Sequence, residues 1–245
     1  MKSKKIIMII LFIVFLLGLI YGSYKIFTWK KDNDQVLDIK ESINKFIKIK
    51  DTIEEEKAEE YIIDFAGLKK KNSDTVAYLK VNNTNIDYVV VKGNDNSYYL
   101  KHNFEKKSSV SGWVFADYKN KFDGSDKNIV IYGHNMRNGS MFGTLKKVLN
   151  KKWYNNEENR YITFVTESGN HVYEVFSVYS VKAEDYYITT KFKSDNEYSK
   201  FLKTIKKRSL KDFNVTLDPS DQILTLSTCN TGGSYRTVLH AKLIK

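Results

Sequence analysis

The sequence predicts a mainly β fold with helices: a closed or nearly closed barrel of about eight strands, a helical segment before it and one helix inserted before the penultimate strand. Three observations predict this. Beyond Thr75, short β-branched and aromatic runs alternate with polar punctuation. The composition holds 17 Tyr and 14 Phe but only 12 Gly and one Pro, Pro219, which favours strands and excludes collagen-like, mucin-like or Pro-rich linker architectures. Elsewhere apolar residues recur at three- and four-residue steps, the helical period. A chain of 245 residues, 42% hydrophobic and 28% charged, can bury one sizeable core and is too apolar to be wholly disordered.

The first element runs from Ile6 to Tyr24 without a charge and is rich in Ile, Leu, Phe and Val. About 19 residues at ~1.5 Å each match the hydrocarbon thickness of a bilayer, so the run predicts a transmembrane helix. Lys2, Lys4 and Lys5 precede it and suit a cytoplasmic N-terminus, which would place the rest outside in a single-pass cell-membrane topology. A cleaved signal peptide is the competing reading, but the region around Gly22 and Ser23 forms a poor cleavage site. Next, Val36, Ile39, Ile43, Phe46, Ile49 and Ile53 mark one face of an amphipathic helix from about Asp34 into the acidic stretch Glu54 to Glu60. The expected organisation is a stub and anchor over residues 1–30, a helical segment over 31–72 and the barrel over 73–245.

Eight strands are expected in the barrel: Val76 to Val81, Ile86 to Val91, Val110 to Phe115, Asn128 to Tyr132, Tyr161 to Val165, Val172 to Val181, Ile223 to Leu226 and Thr237 to Ile244. Between Asp195 and Leu210 the rhythm changes, with Tyr198, Phe201, Leu202 and Ile205 on one helical face. A shorter helix is expected from Met141 to Leu149.

A net charge of +11 suits anionic lipid or an acidic polymer. Nearly all of it is lysine, with arginine only at Arg137, Arg160, Arg208 and Arg236, which argues against a sequence-reading nucleic-acid surface. A single cysteine excludes an internal disulfide and any zinc site needing two thiolates, and no cofactor or metal site is expected.

That cysteine, Cys229, ends the strand-like run Ile223 to Cys229, on the same face as Thr225 and Ser227. The turn-rich Asn230-Thr231-Gly232-Gly233-Ser234 returns the chain, so hairpin geometry can bring Arg236 beside it. A thiol nucleophile needs a base, and His134 is the leading candidate because it stands where Ile129 to Gly133 gives way to a loop. His240 lies about 13 Å along the strand from Arg236 and reads as structural. His102 and His171 read as surface residues.

The stretches Thr225-Leu226-Ser227-Thr228-Cys229, Tyr132-Gly133-His134-Asn135-Met136 and Gly139-Ser140-Met141-Phe142, with Arg236, resemble the sortases, and specifically class B. Supporting similarity runs from about Asp64 to the C-terminus through Asp95 to Leu100 and Tyr187 to Phe192. The resemblance implies an eight-stranded sortase barrel and a cysteine transpeptidase that cuts a sorting signal between Thr and Gly or a similar residue. It implies that Cys229 is the nucleophile, His134 the acid and base, and Arg236 the group that holds substrate and oxyanion. Asn96, Leu100, Tyr132, Tyr187, Ile188 and Ser227 would line the signal-peptide groove. The implied partners are secreted proteins bearing a sorting signal, an amine of peptidoglycan or its precursor, and the membrane. Two other readings stand beside this one: a wall cross-linking L,D-transpeptidase, whose arginine follows its cysteine almost directly, and a non-enzymatic, membrane-tethered wall-binding module.

Overall fold

The computed structural model describes residues 2–50, 59–229 and 234–245. One unbroken helix, α1 (Lys2–Asn44), joins the two helices that the sequence separates. Its first part exposes the apolar side chains from Ile6 to Tyr24 and is long and apolar enough to cross a membrane. Its second part buries Val36, Ile39 and Ile43 against the barrel, the face that the three- and four-residue spacing marks. Asp32 is buried at the same contact.

The helix does not continue into the acidic stretch. The Phe46 amide closes the last turn on the Ile43 carbonyl, and β1 (Ile47–Ile49) pairs antiparallel with β2 (Tyr61–Ile63). Ile49, expected on the buried helix face, is therefore 57% exposed in a strand. Ile53 and the acidic residues Glu54 to Glu56 lie outside the described residues. α2 (Phe65–Lys71) follows, capped by the Asp64 carboxylate, which accepts from the Gly67 amide.

The barrel comprises β3 (Thr75–Val81), β4 (Asp87–Val91), β5 (Phe115–Ala116), β6 (Asn128–His134), β7 (Tyr161–Thr166), β8 (Gly169–Lys182), β9 (Ile223–Cys229) and β10 (Tyr235–Leu243). It closes in the order β10-β8-β7-β3-β4-β5-β6-β9, with β4–β5 and β6–β9 parallel and the other pairs antiparallel. Aromatic and branched side chains pack on the closed sheet, among them Phe164, Phe176, Val130, Leu226 and Leu239, all fully buried. The Trp113 indole N–H, buried with them, donates to the Val89 carbonyl at 2.8 Å.

Two expected elements differ. The strand at Val110 to Phe115 shrinks to β5, because Gly112 takes a positive φ of 57° and the amides of Val110 and Ser111 turn to the Asp32 carboxylate. Val110 is 66% exposed as a result. The helix expected from Met141 becomes a 3₁₀ turn over Leu145–Leu149 followed by α3 (Lys151–Tyr154), since Met141 itself sits at a φ of 50°. α4 (Asp195–Lys207) lies before β9 as expected; Ser194 caps it, and Tyr198, Leu202 and Ile205 are buried.

Candidate active site

Parallel pairing sets the register of the site. β6 and β9 run side by side from Asn128 opposite Ile223 to His134 opposite Cys229, and the Asn135 amide donates to the Cys229 carbonyl at 3.1 Å. Both strands end together, so histidine and cysteine emerge as neighbours at one rim of the barrel. On the other side of β9, antiparallel β10 pairs Val238 with Ser227, and the Thr237 amide donates to Thr228 Oγ1 at 2.9 Å. Continued by two residues, that register brings Arg236 opposite Cys229. Residues 230–233 lie outside the described residues. Burial pushes the Cys229 thiol up to about 12, and the Arg236 guanidinium pulls against that rise.

His134 is only 5% exposed and is held from several sides. Its carbonyl accepts from the amides of Met136 and Phe142, at 3.0 and 2.9 Å, which folds the following loop back on the strand end. Two glycines permit that fold. A Cβ on Gly133 would lie 2.7 Å from the Phe142 ring, and one on Gly143 only 2.1 Å from the Met136 carbonyl oxygen. The Nε2 of His134 lies 2.8 Å from the Leu100 carbonyl oxygen, while Nδ1 is buried with no hydrogen-bond partner among the described residues. A carbonyl can only accept, so the neutral imidazole carries its proton on Nε2 and presents a bare lone pair at Nδ1.

Beside Cys229 lies a cavity of about 350 Å³. Asn96, Tyr132, Tyr187, Ile188 and Ser227 line it together with Cys229 and Arg236; Leu100 does not, and meets the site through its carbonyl instead. The floor is cross-linked by polar contacts. Buried Asp117 accepts from Asn96 Nδ2 at 2.8 Å and from the Tyr132 hydroxyl at 2.9 Å, and the Tyr187 hydroxyl meets Ser227 Oγ at 3.1 Å. Burial, ahead of the Asp117 charge, raises the Tyr132 phenol, and burial also raises that of Tyr187. Both rings therefore stay neutral hydrogen-bonding walls.

Phe115, Ala183, Glu184 and Asp185 also line the cavity and Asp117 braces two of its residues, none of them singled out as site residues in the sequence. Asp117 follows the short strand β5 directly, a spacing signal too weak to find alone. The other histidines lie apart from the cleft residues. His240 is fully buried, between Thr225 Oγ1 and the Tyr179 hydroxyl at 2.8 Å each, and burial depresses it to about 3. His102 stacks on Tyr98, and His171 faces Thr166 and Ser168. Among the described residues no three His, Cys, Asp or Glu side chains group as metal ligands.

A thiol, an imidazole with an available lone pair and a guanidinium at one strand end form a set suited to acyl transfer through a thioester. Residues 79–244 match the family model described as Sortase domain. The chain is 40% identical over 182 residues to Sortase B of Listeria monocytogenes, covering 72% of each chain. Its fold is similar to the solved structure of Clostridium perfringens sortase B, with a TM-score of 0.69 and 42% identity over 74% of this chain and 99% of that one. It is also similar to a Staphylococcus aureus sortase B–substrate complex, with a TM-score of 0.70 and 34% identity over 74% of this chain and 84% of that one.

Proposed function

This chain belongs to the sortase family, as a class B member, and is a cysteine transpeptidase; on that footing we propose that it is anchored in the membrane by α1, cuts a C-terminal sorting signal between Thr and Gly or a similar residue, and joins the acyl group to a peptidoglycan amine. Membership in this family sets aside the L,D-transpeptidase and the non-enzymatic wall-binding module. The observation that carries the finer reading is the parallel register that ends β6 and β9 on His134 and Cys229, with Arg236 on the adjacent strand.

In this reading the Cys229 sulfur attacks the scissile carbonyl as its proton passes to His134 Nδ1. Because burial raises the thiol, the resting thiolate is scarce at neutral pH, and deprotonation accompanies attack rather than preceding it. Arg236 receives the developing oxyanion as a planar, permanently charged donor. The imidazolium then protonates the leaving amine, which departs and leaves a thioester on Cys229. An incoming amine gives its proton back to His134, attacks the thioester and releases the thiol. Asn96, Tyr132, Tyr187, Ile188 and Ser227 offer a mixed polar and aromatic wall for the peptide before the scissile bond. Leu100 supports the site from behind, through its carbonyl.

The test is to incubate the protein with LPxTG-, NPxTN- and SPxTG-like peptides and to detect the acyl-enzyme by mass. A thioester on Cys229 that hydroxylamine releases, and that Cys229→Ala abolishes, is the expected result. Cleavage that persists in Cys229→Ala would remove the thiol from the reaction. The dependence of kcat/KM on pH is expected to be bell-shaped, with the alkaline limb set by the raised Cys229 thiol and so above about pH 10, and a flat profile from about pH 5 to 10 would count against the Cys229–His134 pair.

A further inference from the structure

The cleft accounts for Cys229, Arg236 and the groove side chains, but not for the carboxylate buried where α1 meets the barrel. Asp32 is 7% exposed and accepts three hydrogen bonds from one short segment: from the Val110 amide at 3.0 Å, the Ser111 amide at 3.0 Å and Ser111 Oγ at 2.6 Å. Burying a carboxylate is costly unless such donors replace its water, so the three contacts fix these residues firmly to the helix.

From there a continuous set of contacts leads to the imidazole. Gly112, next in sequence, packs so closely under the turn Tyr98–Leu100 that a Cβ there would lie 2.3 Å from the Tyr99 carbonyl oxygen and 2.9 Å from that of Leu100. The Trp113 amide donates to the Tyr99 carbonyl at 2.9 Å, and the Ser109 amide to that of Lys101 at 2.8 Å. The segment from Ser109 to Trp113 is thus a strap that backs the turn on both sides of Leu100. The Leu100 carbonyl in turn accepts from His134 Nε2 at 2.8 Å.

We propose that Asp32 is a positioning residue for the reaction: by fastening the strap at Val110 and Ser111 it holds the Leu100 carbonyl on His134 Nε2, which keeps the Nδ1 lone pair available for the thiol proton. The proposal rests on the reading of His134 as acid and base given above. Without Asp32 the strap relaxes, Nε2 loses its acceptor, and the tautomer protonated on Nδ1 gains population. The groove residues are untouched, so turnover falls while peptide binding persists.

The experiment compares the full chain with Asp32→Ala, Asp32→Asn and Ser111→Ala in detergent micelles. The peptides above serve as substrates, with hydroxylamine as acceptor, and the histidines are labelled with ¹⁵N to read their tautomers by NMR. Asp32→Ala is expected to lower kcat about tenfold with KM within about twofold, and to move the His134 signals toward the Nδ1-protonated form. Asp32→Asn keeps one acceptor and is expected to fall between Asp32→Ala and the parent. Ser111→Ala removes only the hydroxyl contact and guards against misfolding of the Asp32 variants, and a smaller shift in the same direction is expected. An unchanged His134 tautomer in folded Asp32→Ala, or a loss of activity matched by the unfolded fraction, would overturn the proposal. His134→Gln separates the two levels: if it still forms the thioester, the role of the imidazole itself fails, whereas if it is inactive and Asp32→Ala leaves the tautomer unchanged, only the relay fails.

Discussion

At Cys229 two opposing effects meet, and their balance governs reactivity. Removal from water disfavours the thiolate more than the Arg236 charge favours it, which leaves the thiol well above its ordinary range of about 8.5. The sign of the consequence is definite: raising the pH from 7 to 10 stays below the thiol's midpoint, so the thiolate fraction keeps climbing. Alkylation of Cys229 by iodoacetamide is accordingly expected to rise about tenfold per pH unit over that range and not to level off near 8.5; a plateau at the ordinary value would refute the assignment. His240 shows the opposite use of burial. Thr225 Oγ1 already donates to Asn128 Oδ1 at 2.7 Å, so His240 Nδ1 must donate to Thr225 and Nε2 accept from Tyr179. Every polar atom of that ring is satisfied in the neutral form, as suits a residue that reads as structural from its place along the strand.

Among the elements, the β6–β9 pair and the loop after it do the positioning. Gly143 is where that loop is tightest, because a side chain there meets backbone rather than a flexible neighbour. Gly143→Ala is expected to cost about 1–3 kcal/mol and to lower activity beyond the loss of stability, since the displaced loop carries the amides that hold the His134 carbonyl. Gly124, with a φ of 84° and open space around it, is the control: Gly124→Ala is expected to cost about 1 kcal/mol in strain and to leave activity unchanged, as thermal unfolding and turnover together would check. Short β-branched and aromatic runs bounded by polar residues made most of the strands legible, from Asn128 to Tyr132 and from Ile223 to Leu226 in particular, because strands buried on both faces read as continuous apolar runs. That signal failed where a distant partner decides the backbone. Nothing local says that Val110 and Ser111 will bind a carboxylate on α1, or that Ile47 will pair with Ile63 instead of extending a helix. The same limit hid Asp117 and the role of the Leu100 carbonyl, since a main-chain acceptor leaves no mark in the sequence.

For the molecule as a whole, the feature that matters most is the continuity of α1 from its apolar half into the contact with the barrel. Asp32, Val36, Ile39 and Ile43 make that contact, so a shortened protein lacking residues 1–44 is expected to melt several degrees below one lacking residues 1–25, and to turn over more slowly at temperatures where both are folded. Equal melting points would mean that the helix adds nothing to the fold. From Tyr24 to Asp32 is about eight residues, or ~12 Å of helix. If the apolar half sits in lipid as proposed, the enzyme stands on a short post and not on a leash: it can drift sideways and spin, but neither lean far nor change altitude. Encounters with secreted proteins and wall precursors would then take place in a thin layer just above the lipid, where abundance per unit area, rather than dilution in a volume, sets how often the thiol finds work.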